Sequence, residues 1–332
     1  MAEEKIKIAV CPGAGCGGCD VSLVNLHEKL LELSELVDIV YWPTAIDQKM
    51  EDLEKIEHID IVIFEGSIRT KAHEELLKMA RKKAKILVAY GACACFGGIY
   101  ALGNLFFRKE LLEMGYLLTP STENEQKKFP GELVKIDNII IKIPELIDWN
   151  MPLDKLVSVD VYAPGCPPRD KVLEKLVEVI KDYIENGLVP ERGVVLADIK
   201  TICDECPREK PDKIVIRRFR RIHEGPVDPE KCFLAQGIIC LGPVTRSGCG
   251  LPCIKANMPC RGCMGPAPAV KDPGAKFITS LASLIEVDRE RSLSDEELVK
   301  RVQEIPDPVG YFYRFTLGRG IIDKTQREEG EG

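Results

Sequence analysis

Apolar residues in the first half of the chain fall in short unbroken runs, separated by stretches with helical spacing. Residues 5–10, 37–42, 59–64, 85–90 and 157–162 each read as a strand. Between them, residues 21–35 place Val21, Val24, Leu26, Leu30, Leu31 and Leu33 at roughly helical spacing, with Asp20 positioned to cap the helix. Residues 71–83 form a second helical stretch, and residues 169–186 a third that ends at Gly187, a C-cap signal. Strands that alternate with helices, and that are apolar throughout, predict a mostly parallel sheet buried on both faces. The fold class is therefore α/β, and the expected strand order is flavodoxin-like. The stretch 102–156 reads as an insertion, with a helix near 106–114 and a short strand near 139–143.

Past Pro190 the pattern breaks down. Residues 201–268 hold eight cysteines among many glycines and prolines, with one strand-like run at 213–218. Such a segment cannot bury enough apolar surface to fold on those contacts alone, so something else must organise it. Helices are expected at 277–286 and at 294–303, the latter capped by Ser294, and residues 324–332 read as a polar, frayed end. The expected division is 1–190 for the sheet domain and 191–332 for the cysteine-dense domain.

A length of 332 residues fits about two domains of roughly 150 residues. A net charge of −7 argues against a nucleic-acid binder, which normally carries a basic face. No run approaches the 18 apolar residues of a membrane span, and Met1-Ala2-Glu3-Glu4 opens no secretory segment, so a cytoplasmic location is expected. Fourteen cysteines change the picture most. A long chain with its own core and no export signal is a poor setting for disulfides, which leaves metal or iron–sulfur ligation.

The cysteines also sit where chemistry is expected. Parallel sheets bind ligands beyond the carboxyl ends of their strands, and three of those ends lead into cysteine loops, at 11–19, 91–98 and 164–168. Cysteines spaced as CxxC can both reach one metal, and Gly17-Gly18 between Cys16 and Cys19 lets backbone approach a bulky group. One such pair is shared by redox motifs and zinc knuckles. A zinc ribbon needs two knuckles about 15–20 residues apart. Here Cys203 and Cys206 are followed by the singles Cys232 and Cys240, then by Cys249, Cys253, Cys260 and Cys263 with one CxxC among them. On spacing, structural zinc and iron–sulfur clusters both stay open, and iron–sulfur fits better.

These motifs, taken together, carry a resemblance. Cys16-x2-Cys19 after the first strand, Gly91-x-Cys93-Ala94-x2-Gly97-Gly98 after the fourth and Pro164-Gly165-Cys166-Pro167-Pro168 after the fifth resemble the proximal-cluster motifs of the nickel–iron hydrogenase small subunit. Glu65-Gly66-Ser67 after the third strand is similar to that family too. Cys203, Cys206, Cys232 and Cys240-x-Gly242-Pro243 resemble its distal-cluster ligands, and Cys249, Cys253, Cys260 and Cys263-x2-Pro266 its medial-cluster ligands. The resemblance spans about residues 5–270, and the run 91–104 looks most like the methyl-viologen-reducing, non-deazaflavin-reducing branch of methanogens.

The resemblance implies three 4Fe-4S clusters held by these twelve cysteines, no catalytic residue on this chain, and hydrogen split on a separate large subunit with the nickel–iron centre. It further implies an acceptor, in that branch a small iron–sulfur subunit linked to a heterodisulfide reductase carrying a flavin. A deazaflavin-reducing hydrogenase small subunit, a quinone reductase subunit of the complex I type and a ferredoxin-like carrier are the competing readings. Many family members use histidine where this chain has Cys203, and relatives with a three-iron medial cluster have proline where it has Cys253. Asp20 stands where relatives carry a glutamate one position further on. Cys11 and Cys95 are left over and read as small buried hydrophobes. His27, His58 and His73 read as surface residues, and His223, beside Arg217, Arg218, Arg220 and Arg221, as a solvated or partner-facing side chain.

Overall fold

A computed structural model describes residues 5–131, 133–285 and 294–322. Its strands are β1 (Ile6–Pro12), β2 (Val37–Tyr41), β3 (Ile59–Glu65), β4 (Ile68–Thr70) and β5 (Ala84–Tyr90) in the first third of the chain. They are followed by β6 (Leu133–Ile136), β7 (Ile139–Lys142), β8 (Leu146–Met151), β9 (Val161–Ala163) and β10 (Val194–Val195). Six of these form one sheet in the order β2-β1-β3-β5-β9-β10, with every neighbouring pair parallel. This is the flavodoxin-like order lengthened by a sixth strand at one edge.

The central strands are apolar throughout because both faces are covered. Residues Ile61, Val62, Ile86, Leu87 and Val88 are inaccessible to solvent. On one face lies the helix Lys71–Lys83, which buries Leu76, Leu77 and Ala80; Thr70 caps it by accepting from the His73 N–H at 3.2 Å. The long helix at Asp170–Asn186 covers the other face with Val172, Leu173, Leu176, Val177, Ile180 and Tyr183, and Gly187 ends it in the left-handed region as the sequence predicts. Burying each such aliphatic side chain contributes about 1.5–3 kcal/mol, so the sheet layer is self-supporting.

Several elements differ from the sequence expectation. The predicted helix at 21–35 is two helices, Gly18–Val24 and Glu28–Leu36, broken at His27 with φ 50°. Asp20 lies in the first turn and does not cap; Gly17, at φ 78°, is the N-cap. The fifth predicted strand is shorter, Val161–Ala163. Residues 213–218 are not a strand, and only Ile216 pairs there, in an isolated bridge to Ile285. The helix expected at 277–286 starts earlier, at Pro273, because Asp272 caps it by accepting from the Ala275 N–H at 2.7 Å. The helix at Asp295–Gln303 is preceded by Ser294, whose hydroxyl accepts from the Glu297 N–H at 3.4 Å. The expected fray at 324–332 lies outside the described residues.

The cysteine-dense part consists mostly of loops, with two four-residue helices at Ile202–Glu205 and Pro252–Lys255 and single 3-10 turns between them. It buries more apolar surface than the sequence suggests. Ile202, Phe219, Phe233, Leu241 and Val244 form one cluster with Phe277, Leu281, Phe312 and Leu317, which come from beyond the cysteine segment. The missing core is supplied by the C-terminal helices.

Candidate functional site

The three cysteine loops of the sheet domain meet at the carboxyl ends of β1, β5 and β9. Each loop is shaped by close backbone packing. Ala92 donates its N–H to Gly165 O at 2.7 Å, which ties the loop of Cys93 to that of Cys166. Gly13 and Ala14 donate to Glu65 O and Ser67 O at 2.6 and 2.7 Å, which holds the loop leading to Cys16 against the end of β3. Cys16 and Cys166 are exposed, whereas Cys19 and Cys93 are half-buried. Burial raises the Cys93 thiol to about 12, with the neighbouring Cys166 and Cys16 adding to the shift. Burial also raises Cys19, helped by Glu65, Cys93, Cys166 and Cys16. Cys95 turns away: its Sγ lies 3.2 Å from Ala89 O, fully buried, and Cys11 is likewise enclosed in the core, as expected from sequence.

Glycine at 91 and 98 is required by space as well as by conformation. Gly91 has φ +88°, and a Cβ there would stand 2.4 Å from Cys19 Sγ; Gly98 has φ +64°, and its Cβ would stand 2.4 Å from Cys93 Sγ. At Gly17, with φ +78°, a Cβ would meet nothing within 4 Å. Gly17→Ala should therefore lose only the backbone contribution of about 1–2 kcal/mol, and Gly91→Ala distinctly more, because the Cys19 thiol must also move. Urea unfolding of the two variants checks this, and equal losses would contradict it.

Charged and polar neighbours surround this site. Glu65 is buried and its carboxyl is raised to about 7, first by burial and then by the Asp20 carboxylate. Asp20 Oδ1 accepts from Trp42 Nε1 at 2.7 Å and from Thr44 Oγ1 at 2.9 Å. Tyr90 Oη and Ser22 Oγ, both buried, share a 2.6 Å hydrogen bond, and Ser22 Oγ donates to Cys19 O at 2.8 Å. Tyr90 and Ser22 carry no motif in the sequence. Their partners are set by tertiary folding.

Four further cysteines, Cys203, Cys206, Cys232 and Cys240, line a single cavity together with Gly242 and Pro243. Burial raises the Cys203 thiol to about 12 and that of Cys240 to about 11, although N–H groups of Gly242 and Cys260 are aimed at Cys240 and pull it down. Lys210, whose Nζ donates to Cys203 O, also lowers the Cys203 thiol. A Cβ on Gly242 would lie 3.0 Å from Cys203 Sγ and 3.6 Å from Cys240 Sγ. The remaining four, Cys249, Cys253, Cys260 and Cys263, border a second cavity of about 480 Å³ that Cys166 also lines. Of these four, Cys253 is exposed and Cys260 buried.

The three groups adjoin one another. Cys166 and Cys263 line the same cavity, and the N–H of Cys260 donates to Cys240 Sγ at 3.3 Å. Leu241 N–H in turn donates to Cys260 O at 3.0 Å. Among the described residues, no three Cys, His, Asp or Glu side chains converge closely enough to hold one metal ion.

Histidine enters none of the three groups. His58 Nε2 lies 3.5 Å from Asp60, His27 stands at the helix break, and His223 lines a surface cavity with Arg220 and Arg221. His73 is not the plain surface residue expected: it is half-buried, burial lowers its pKa, and its Nδ1 has no partner.

Comparison with known proteins now gives this geometry a family. Residues 16–180 match a family profile described as the 20 kDa subunit of NADH ubiquinone oxidoreductase. The chain is 37% identical to an F420-non-reducing hydrogenase iron-sulfur subunit of Archaeoglobus profundus, over 96% of this chain and 98% of that one. It is 36% identical to the corresponding F420-non-reducing hydrogenase subunit of Methanothermobacter marburgensis, over 99% of both chains. Among solved structures, an H2-activated [NiFeSe]-hydrogenase of Dm. baculatum superposes with a TM-score of 0.50 at 20% identity, covering 80% of this chain and 96% of that chain, a likeness of fold. With such identity to full-length relatives, the chain belongs to this family of F420-non-reducing hydrogenase subunits and is a hydrogenase small subunit, part of an oxidoreductase.

Proposed function

We propose that this chain is the electron-transferring small subunit of a cytoplasmic nickel–iron hydrogenase, built as a sheet domain (1–190) and a cysteine-dense domain (191–332). Cys16, Cys19, Cys93 and Cys166 would hold a proximal 4Fe-4S cluster; Cys249, Cys253, Cys260 and Cys263 a medial one; and Cys203, Cys206, Cys232 and Cys240 a distal one. The donor set fits: each group is four thiols, and glycines at 91, 98 and 242 leave space that side chains would fill. When bound, such clusters supply one-electron transfer at potentials tuned by ligands, hydrogen bonds to sulfur and burial. The chain's own part is to order the three groups, keep water from the inner thiols and direct the Cys260 N–H at Cys240.

The observation that carries the reading is the succession of the groups: Cys166 lines the cavity that Cys249, Cys253, Cys260 and Cys263 border, and the Cys260 N–H donates to Cys240 Sγ at 3.3 Å. Hydrogen would be oxidised on a separate large subunit seated against the loops of Cys16, Cys93 and Cys166. Around these loops Val21, Val24, Ile99 and Tyr100 stand exposed, an apolar rim suited to a protein partner. Electrons would leave from the distal end to an acceptor protein, a small iron–sulfur subunit of a heterodisulfide reductase complex.

Anaerobic metal and sulfide analysis tests this. About twelve irons and twelve acid-labile sulfides per chain are expected from three four-iron sites, and the isolated chain should reduce no dye with hydrogen. Zinc near stoichiometry with little iron, or hydrogen-dependent dye reduction by the chain alone, overturns it.

A further inference from the structure

The insertion leaves the sheet domain at Asn104 and rejoins it at Asn150, and these two buried residues are bonded to each other. Asn104 Nδ2 donates to Asn150 O at 2.9 Å, and the Asn150 N–H donates to Asn104 Oδ1 at 2.8 Å. The Asn150 amide then reaches both cysteine loops beside it. Its Oδ1 accepts from Ser67 Oγ at 2.8 Å and its Nδ2 donates to Gly97 O at 3.0 Å. Ser67 pairs with Ala14 through its backbone, two residues before Cys16, and Gly97 lies four residues past Cys93. The insertion is thus rooted in the loops of the first cysteine group.

Its outer part is a hairpin of β6 and β7, turning at Asp137 with φ 52°. The register pairs Val134 with Ile141, Lys135 with Ile140 and Leu133 with Lys142, so Val134, Ile139 and Ile141 share one apolar face, whereas on the other Lys135 and Lys142 interrupt Leu133 and Ile140. On the first face Ile139 is 66% exposed and Ile141 42%. A two-stranded ribbon is marginal alone in water, and a contiguous exposed apolar face marks an interaction surface.

We infer that the hairpin at 133–142 is a docking arm that lays its Val134/Ile139/Ile141 face on the hydrogenase large subunit. The inference rests on the proposed seating of that subunit against the loops of Cys16 and Cys93. The occupant follows from continuity: Asn104 and Asn150 fix the arm's root to the loops whose exposed rim carries Val21, Val24, Ile99 and Tyr100. One apolar partner surface would then run from that rim onto the hairpin.

Hydrogen exchange on the chain alone and on the complex co-produced with its large subunit tests the arm. Amides 133–142 are expected to slow at least tenfold in the complex. Ile139→Lys with Ile141→Lys should weaken assembly at least tenfold, whereas Lys135→Glu on the opposite face should leave it unchanged. A complex that forms with the hairpin unprotected overturns the arm and leaves the subunit reading intact. Failure of the wild-type chain to assemble with any large subunit overturns both. Hairpin protection that appears in the chain alone as its concentration rises would assign the face to a second copy and overturn the inference.

Discussion

Anaerobic removal of iron is expected to melt residues 201–265 while the sheet domain stays folded. The two halves differ in what holds them. In the first, Leu87, Val88, Ile61 and Val62 are sealed between two long helices; the thiols inside those clusters, Cys11 and Cys95, are not among the proposed ligands, and Cys19, Cys249 and Cys263 only border them. In the second, the cluster of buried side chains includes Cys240 and Cys260, with Cys206, Cys232 and Cys249 packed against it. The regular elements there are four residues long, too short to persist without tertiary support. Binding free energy at a site absent from the unfolded chain acts as folding free energy, so losing it should expose this segment first. Amide protection should fall by about a thousandfold or more over 201–265 and by less than about tenfold over 59–90. The C-terminal helices at Pro273–Ala282 and Pro308–Phe312 will blunt the loss, because Phe277 and Phe312 contribute their own burial. A single transition common to both halves, followed by hydrogen exchange, would refute the unequal coupling.

The same division governs what the sequence disclosed. Runs such as 59–64 and 85–90 are buried on both faces, so composition alone marks them as central strands, and the boundaries of the helix at Lys71–Lys83 follow from its amphipathic spacing. The CxxC pairs and the cysteines after β5 and β9 are legible because metal-type ligation needs fixed local spacing. The break at His27, the short β10 edge strand and the Asn104–Asn150 lock are not legible. The edge strand and the lock each depend on residues distant in sequence: Val194 pairs with Val161, and the lock joins positions 46 apart. Asp20 shows the limit well. Local sequence makes it a helix cap, yet the Trp42 indole N–H, 22 residues away, takes its carboxylate instead.

Replacing Cys253 should convert the proposed medial site from four irons to three. Cys253 is the exposed thiol at the rim of the cavity lined by Cys249, Cys260 and Cys263, so deleting its sulfur removes little packing. It nonetheless lines the same cavity as Cys249 and Cys263. Cys253→Ala is a cleaner test than the proline found in three-iron relatives. Proline at 253 would press Pro252, the first residue of the helix Pro252–Lys255, out of its helical conformation. Folding stability of the loaded protein should change by no more than about 1 kcal/mol. The iron count should fall by about one per chain, and the oxidised protein should show a three-iron electron paramagnetic resonance signal. Losing a thiolate raises the potential of the site, so reduction of low-potential acceptors should slow while reduction of high-potential dyes is spared. Cys260→Ala makes the contrast. Cys260 is buried, so losing its sulfur leaves a void beside the backbone N–H that donates to Cys240 Sγ and should disturb the distal group as well. If Cys253→Ala keeps the full iron complement and unaltered transfer, Cys253 is not a ligand and the fourth iron is held by another group.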